Sequence, residues 1–424
     1  MTTTYTGPAP ADFADVRATN LAVVLGYVRG NAPCSRADIA ASTGLNKATV
    51  SSLVGELIDR RLLRETGLTE RRIGRPATMI VLDGAPYAAI GLDVTADHLT
   101  AVAMDLGGEQ LLAWRRSLNG RGAPASRSVA AIAALARRAL ARMHEQGRQV
   151  LGLTVGVAGL VDPAGVVRRA TGLDWRDVPL REPLTRALGQ PTFPVTVENG
   201  ANLAALAEYR YGPYAGTPDL AFLHGEAGVA AGIVTGGRLL RGAGGYAGEI
   251  GHLTVDPEGP ECDCGRRGCL QAVASVEALI RRQSGSGQGG SGLGGSGQSG
   301  PGQGGSEPDA DLEPAVADAV RRARAQEPAA LAALHEGGRR LGQGVAVLAN
   351  LVNPGVVILG GYYVPLAPWI LPTAAEELDR LVVAPSPPGV RLVASALGHD
   401  AAAIGGAAAV LDSVDAGRLP LPAA

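Results

Sequence analysis

A chain of 424 residues is too long for one hydrophobic core, so two or three domains are expected. With 46% hydrophobic and 18% charged residues it reads as globular, and it has neither a run of about eighteen apolar residues nor a secretory core in its polar N-terminus, which points to the cytoplasm and away from a membrane. The net charge of −2 conceals a polarity: residues 1–82 carry 10 Lys/Arg against 7 Asp/Glu and the remainder 28 against 33, a basic head on an acidic body, as suits a nucleic-acid reader attached to something else.

The first periodic segment runs from Asn20 to Arg29, where Leu21, Val24 and Leu25 share a helical face. After a break at Asn31-Ala32-Pro33, Ser35 stands as an N-cap with Asp38 three residues on, opening a second helix through Ile39 that Gly44 closes in a left-handed position. Asn46 caps a third helix, with Val50, Leu53, Val54 and Leu57 at i, i+3, i+4 and i+7. A Gly- and Arg-rich hairpin over 66–76 and an apolar strand over 79–82 follow. This order predicts a winged helix-turn-helix over residues 1–82.

A helix entering the major groove reads bases from its N-terminal end, here Asn46, Lys47, Thr49 and Ser52, with Ser35 and Arg36 beside them on the preceding helix. Lys47 is the sole lysine of the chain. In the hairpin, Arg71, Arg72 and Arg75 lie around Gly74 and Pro76, and Arg75 suits insertion into a narrow minor groove. The competing readings are an ordinary amphipathic helix and a solvated arginine cluster.

From Ala88 onward apolar strands (89–94, 99–104, 150–157, 195–197, 220–223 and 356–359) alternate with Ala- and Arg-rich helices such as 128–145 and 202–211. That alternation predicts an α/β body on mixed sheets. Residues 283–308 are a Gly/Ser/Gln tract, too polar to offset its ordering entropy, and read as a flexible surface insertion.

Three of the four cysteines fall within eight residues, and His252, Cys262, Cys264 and Cys269 offer three thiolates and an imidazole, a closed tetrahedral set suited to structural zinc. Cys34 stands apart and reads as a small residue flanking a helix.

Four strings occur in order: Gly156-Val157-Ala158-Gly159-Leu160-Val161-Asp162, Glu198-Asn199-Gly200-Ala201-Asn202, Ala247-Gly248-Glu249-Ile250-Gly251-His252, and Cys262-x-Cys264 through Cys269-Leu270-Gln271. With Ser35-Arg36-Ala37-Asp38, Gly44-Leu45-Asn46-Lys47-Ala48-Thr49-Val50-Ser51 and Gly74-Arg75-Pro76, the chain resembles the ROK family of bacterial repressors and sugar kinases, and within it the repressor branch that includes xylose-type repressors. The resemblance spans about residues 17–412, the Gly-rich tract excepted. It implies a two-lobed, actin-like or ribonuclease-H-like body, with an N-terminal lobe over 83–202 and a C-terminal lobe over 203–424, and zinc on the four residues named. It further implies a sugar site between the lobes lined by Asn199, Glu249, His252 and Gln271, where one His252 nitrogen binds metal and the other faces the sugar. Family kinases usually have Glu at the Gln271 position, and an amide bonds hydroxyls with less charge assistance.

Catalysis is where the chain departs. Family kinases place an Asp base directly after the motif Asn; here Gly200 stands, and general-base help of about 10²–10⁴-fold is lost. The first phosphate turn, Asp then Gly-Gly-Thr in the kinases, reads Asp93-Val94-Thr95-Ala96-Asp97, and in the second, Gly225 to Gly232, Ala227 and Ala230 replace Thr and Gly. No catalytic residue is therefore expected. The expected protein is a repressor of carbohydrate genes that binds double-stranded operator DNA as a homodimer or tetramer. A monosaccharide changes its affinity, xylose first, then glucose or N-acetylglucosamine. The alternatives are a sugar kinase with a fused DNA-binding head, and a regulator whose body binds a protein partner and no sugar.

Overall fold

The computed structural model describes residues 13–68, 78–283, 312–383 and 389–418. The head comprises α1 (Phe13–Asn31), β1 (Cys34–Ser35), α2 (Arg36–Thr43), α3 (Lys47–Asp59), β2 (Leu63–Leu68) and β3 (Thr78–Leu82). Its turns are set locally. The Ser35 hydroxyl accepts from the Asp38 amide at 3.2 Å while Asp38 accepts from the Ser35 amide at 3.0 Å, a reciprocal capping box. Gly44 ends α2 at φ 73°, backbone that a side chain would strain, and Asn46 caps α3 by accepting from the Thr49 amide at 2.8 Å. Val50, Leu53, Val54 and Leu57 are all buried. The three strands pair antiparallel in the order β1-β3-β2. The first helix starts seven residues before the expected Asn20, because Arg17 donates to Glu56 of α3 at 2.9 Å and ties the extension down.

The body begins with the antiparallel meander β4 (Tyr87–Val94), β5 (His98–Asp105) and β6 (Gln110–Ser117). After α4 (Ala125–Glu145), strand β7 (Gln149–Val157) lies parallel to β4. A small sheet of β8 (Leu160–Val161), β9 (Val167–Ala170) and β10 (Trp175–Val178) follows, then α5 (Arg181–Ala187), β11 (Val195–Asn199) parallel to β7, and α6 (Gly200–Tyr211). The first large sheet thus runs β11-β7-β4-β5-β6.

The second repeats the plan. Its meander is β12 (Leu220–Gly225), β13 (Val229–Thr235) and β14 (Arg238–Leu239). Helices α7 (Leu270–Ala274), α8 (Val276–Gln283), α9 (Leu312–Arg324) and α10 (Pro328–Val352) lead to β15 (Val356–Gly361), parallel to β12; α11 (Tyr363–Leu381) leads to β16 (Arg391–Ala394), parallel to β15. The order is β14-β13-β12-β15-β16. The expected insertion at 283–308 lies outside the described residues except for Gln283, which closes α8 and is buried.

The last helix, α12 (Ala401–Asp415), belongs by sequence to the expected C-terminal lobe yet packs on the first sheet and α6. Glycines make this possible: a Cβ at Gly91 of β4 would stand 1.8 Å from the Ala403 carbonyl, and one at Gly405 would stand 1.7 Å from that of Leu203. A boundary at 202/203 therefore divides the chain but not the packing. Nor is the head separate: Leu21, Val24, Leu25 and Val28 of α1 share one buried cluster with Tyr87, Met104, Leu106, Val410, Leu411 and Val414. No helix among the described residues is long and apolar enough to cross a membrane.

Candidate effector cleft, metal centre and DNA-reading face

Between the two large sheets lies a cavity of about 150 Å³ lined by Asn199, Glu249, His252 and Gln271, which the structure brings together as expected. The Ala247 to His252 string is held against β13 by close backbone approach. A Cβ at Gly248, whose φ is 97°, would stand 1.8 Å from the Ala231 carbonyl, and one at Gly251 would stand 2.0 Å from that of Val229. Two glycines thus let a short turn present Glu249 and His252 to the cavity. Glu249 makes no side-chain cap bond although it precedes the turn at 250–252, and burial alone pushes its pKa up to about 7. It is a recessed carboxyl with no ion-pair partner among the described residues, facing the cavity.

Asn199 lines the cavity with most of its amide already engaged. Its oxygen accepts from the amides of Ala201 (2.8 Å) and Asn202 (3.1 Å), capping α6, and its nitrogen donates to the Gly159 carbonyl at 2.8 Å. One N–H remains, so Asn199 chiefly shapes the cleft floor. Across the mouth, Arg169 of β9 donates to the Asp263 carbonyl at 2.6 Å and ties the small sheet to the cysteine loop.

Beyond the cleft, His224 and Glu226 form a partition that also lines a second chamber with Asp93, His98, Arg115 and His399. This chamber has only about 20 Å³, room for one water. Burial pushes the Asp93 carboxyl up to about 7, with His224 pulling it back. Burial works against the His224 cation, but Glu226, 3.2 Å away, and Asp93 outweigh it and raise its pKa. Glu226 is correspondingly lowered by His224 despite its own burial. Asp93, Thr95 and Glu226 of the altered phosphate turns face this charged chamber, whereas Ala96, Asp97, Ala227 and Gly228 of the same turns line the larger cavity. Sequence reading did not single out His224, His98 or His399; the available signal was the alternation His224-Gly225-Glu226 at a strand end. Gly200 opens α6, and a Cβ there would stand 3.3 Å from Asp93 Oδ1.

The metal expectation rests on good geometry. His252, Cys262, Cys264 and Cys269 place all four donor atoms within 4.8 Å of one another. His252 Nδ1 lies 3.8 Å from Cys262 Sγ, and Cys264 Sγ lies 3.6 Å from Cys269 Sγ, close to the roughly 3.8 Å edge of a tetrahedron with 2.3 Å bonds. Burial and then the neighbouring thiols push Cys269 up to about 12, a crowding that a bound cation would reverse. The four residues form a cluster able to bind a metal.

On the head, Lys47 and Ser52 are exposed along α3 and Thr49 is partly so. Asn46 is exposed, with its oxygen engaged in the cap. Ser35 departs from expectation: it is buried and its hydroxyl belongs to the capping box, which removes it from the DNA-facing set. Arg36 pairs with Glu65 at 2.8 Å. Arg71, Arg72 and Arg75 lie outside the described residues.

Duplicated sheets around a polar cleft, with three helices and a β-hairpin in front, define a two-lobed sugar-kinase-like protein bearing a winged-helix head. The chain belongs to the ROK family, whose model matches residues 89–413, and a MarR-family model matches residues 22–72 of the head. It is 27% identical over 402 residues to the xylose repressor of Bacillus subtilis (strain 168), covering 95% of this chain and 97% of that protein. In solved structures it resembles a ROK family transcriptional regulator described as a homologue of the E. coli MLC protein (TM-score 0.77, 24% identity, 95% and 97% covered). It also resembles a ROK family glucokinase from Streptomyces griseus in complex with glucose and AMPPNP (TM-score 0.59, 28% identity, 76% and 98% covered).

Proposed function

We propose that this chain is a sugar-responsive transcriptional repressor that binds operator DNA through α3 and the hairpin 66–76, and that has no kinase activity. The observation that carries this is the contrast inside the body. The cleft keeps a recessed Glu249, His252 and Gln271 around a volume suited to one small sugar, while the neighbouring chamber has room for a single water. A small sugar can be held there; the turns that hold phosphate in family kinases also border this cleft, at Ala96, Asp97, Ala227 and Gly228, but offer side chains and a carboxylate where glycine amides would be needed. Relatives on both sides of that divide, a xylose repressor and a glucokinase, agree with a shared body put to two uses. D-xylose is the first candidate effector, then D-glucose and N-acetylglucosamine. A zinc ion held by His252 Nδ1 and the three cysteines would fix the imidazole that lines the cleft. A homodimer would set one head on each half of a two-fold operator. The working units are then the head (1–82), the first lobe (83–202 with α12) and the second lobe (203–400).

The test is a gel shift on DNA upstream of the chain's own coding sequence, repeated with each sugar. Retarded DNA whose affinity changes with one of them is the expected result; binding that no sugar alters, with no heat in calorimetry, would favour a body that takes a protein partner. A coupled assay with ATP should show no phosphorylation. Gly200→Asp should not create it, because the phosphate turns are altered as well; turnover in the unmodified chain would restore the kinase reading.

A further inference from the structure

We propose that α12 connects the effector cleft to the DNA-reading head, and that Arg29 is the positioning residue fixing the head to it. The inference rests on the repressor reading above and names how its two sites communicate. At the end of α1, Arg29 spends three donors on the body. Nη2 donates to Asp415 Oδ1 of α12 at 3.0 Å, Nε donates to the other oxygen of the same carboxylate, and Nη1 donates to the Leu106 carbonyl after β5 at 2.5 Å. The two side chains are only 15% and 11% exposed, so water screens this fork weakly.

One turn earlier on α12, Asp412 accepts from Arg210 at the far end of α6, at 2.5 Å. The near end of α6 is capped by Asn199 in the cleft wall. A continuous path therefore runs from the cleft along α6, across Arg210–Asp412 to α12, and across Asp415–Arg29 to α1. Glycines 405 and 406 seat α12 directly on Leu203 of α6 and on Gly91 of β4, without intervening side chains. The apolar contacts of Leu21, Val24, Leu25 and Val28 hold the head against the body but are non-directional. The guanidinium fork is directional, and it sets the angle at which the head stands. A displacement of α6 on sugar binding would then rotate α1, with α3 following through their shared core.

The experiment uses the full chain with Arg29→Gln and, independently, Asp415→Asn, which breaks the same contact from the body side. Operator affinity is measured by gel shift without sugar, binding of D-xylose, D-glucose and N-acetylglucosamine by calorimetry, and the change in operator affinity at saturating sugar. Both variants should keep both affinities near wild type while the sugar-induced change shrinks by about tenfold, and Arg29→Lys should recover part of it. An undiminished response in either variant overturns the relay. So does a loss of operator binding in Arg29→Gln that Asp415→Asn does not share, because it would place Arg29 on the DNA face. If no sugar alters operator binding even in the unmodified protein, the effector reading fails, and amide hydrogen exchange still decides the link. Faster exchange along α1 in both variants, with β4 and β7 unchanged, upholds it, and unaltered α1 protection refutes it.

Discussion

Glu249 has an ordinary carboxylate pKa of 4.5 that burial raises to about 7. The raised value means that ionisation costs the empty fold increasingly as pH climbs from about 4.5 through 7, and costs nothing below that window. A bound sugar reverses the preference, since its hydroxyls donate to the ionised form. Effector binding should therefore release a proton below about pH 7 and weaken as pH falls, by up to tenfold per unit. Calorimetry in two buffers of different ionisation enthalpy checks this: Glu249→Gln should bind more weakly and lose the pH dependence, and an equally steep profile in that variant would remove Glu249 from the contact. At this scale the family resemblance was informative about which side chains share the cleft, because Glu249 and His252 sit in one short motif string and Gln271 in another that follows it. It was less so about their duties. That the Asn199 amide is almost wholly engaged by α6 and Gly159, and the Ser35 hydroxyl by Asp38, depends on backbone groups whose direction only the folded chain fixes.

Elements defined by local chemistry lie close to where the residues predict them. The caps at Ser35 and Asn46, the left-handed Gly44 and the apolar stripe from Val50 to Leu57 act within one or two turns, so a linear reading captures them. Asn46→Ala should cost about 1 kcal/mol, measured as a shift in the protein's urea midpoint, with operator binding falling beyond the unfolded fraction if the same side chain also meets DNA. The cysteine loop behaves likewise. Cys264→Ser should abolish stoichiometric zinc, read by a chromogenic chelator, and loosen the turn bearing His252, so that effector affinity falls with it; a variant that stays fully zinc-loaded would exclude Cys264 as a ligand. The second chamber shows the limit of such reading. His98 and Asp93 come from one sheet, His224 and Glu226 from the other, and His399 from the approach to α12, so no window of sequence contains the cluster.

For the whole molecule, the decisive fact is the return of α12. Its Ala- and Gly-rich sequence reads as a buried helix, but which sheet it covers is set by Gly91, some three hundred residues earlier, and no local pattern encodes that match. Because α12 also joins the α1 cluster, a cavity opened within that cluster should loosen α1 and β5 together. Leu411→Ala, at a position 1% exposed, should cost about 2–5 kcal/mol. Hydrogen exchange should report the loss in α1 as well as β5. A head that stays fully protected while β5 opens would show that the shared cluster is two independent ones.

The solitary lysine, exposed at the start of α3, also turns the proposed reading face into a chemically unique spot. An amine-reactive dye applied to the intact protein has Lys47 as its one side-chain target besides the terminal amine. Operator DNA seated on that helix would shield the amine and slow the labelling, so occupancy could be followed without altering a residue. By the same token, an acetyl group placed on that nitrogen would cancel the only ammonium side chain the protein possesses, at the point where a phosphate backbone would meet it.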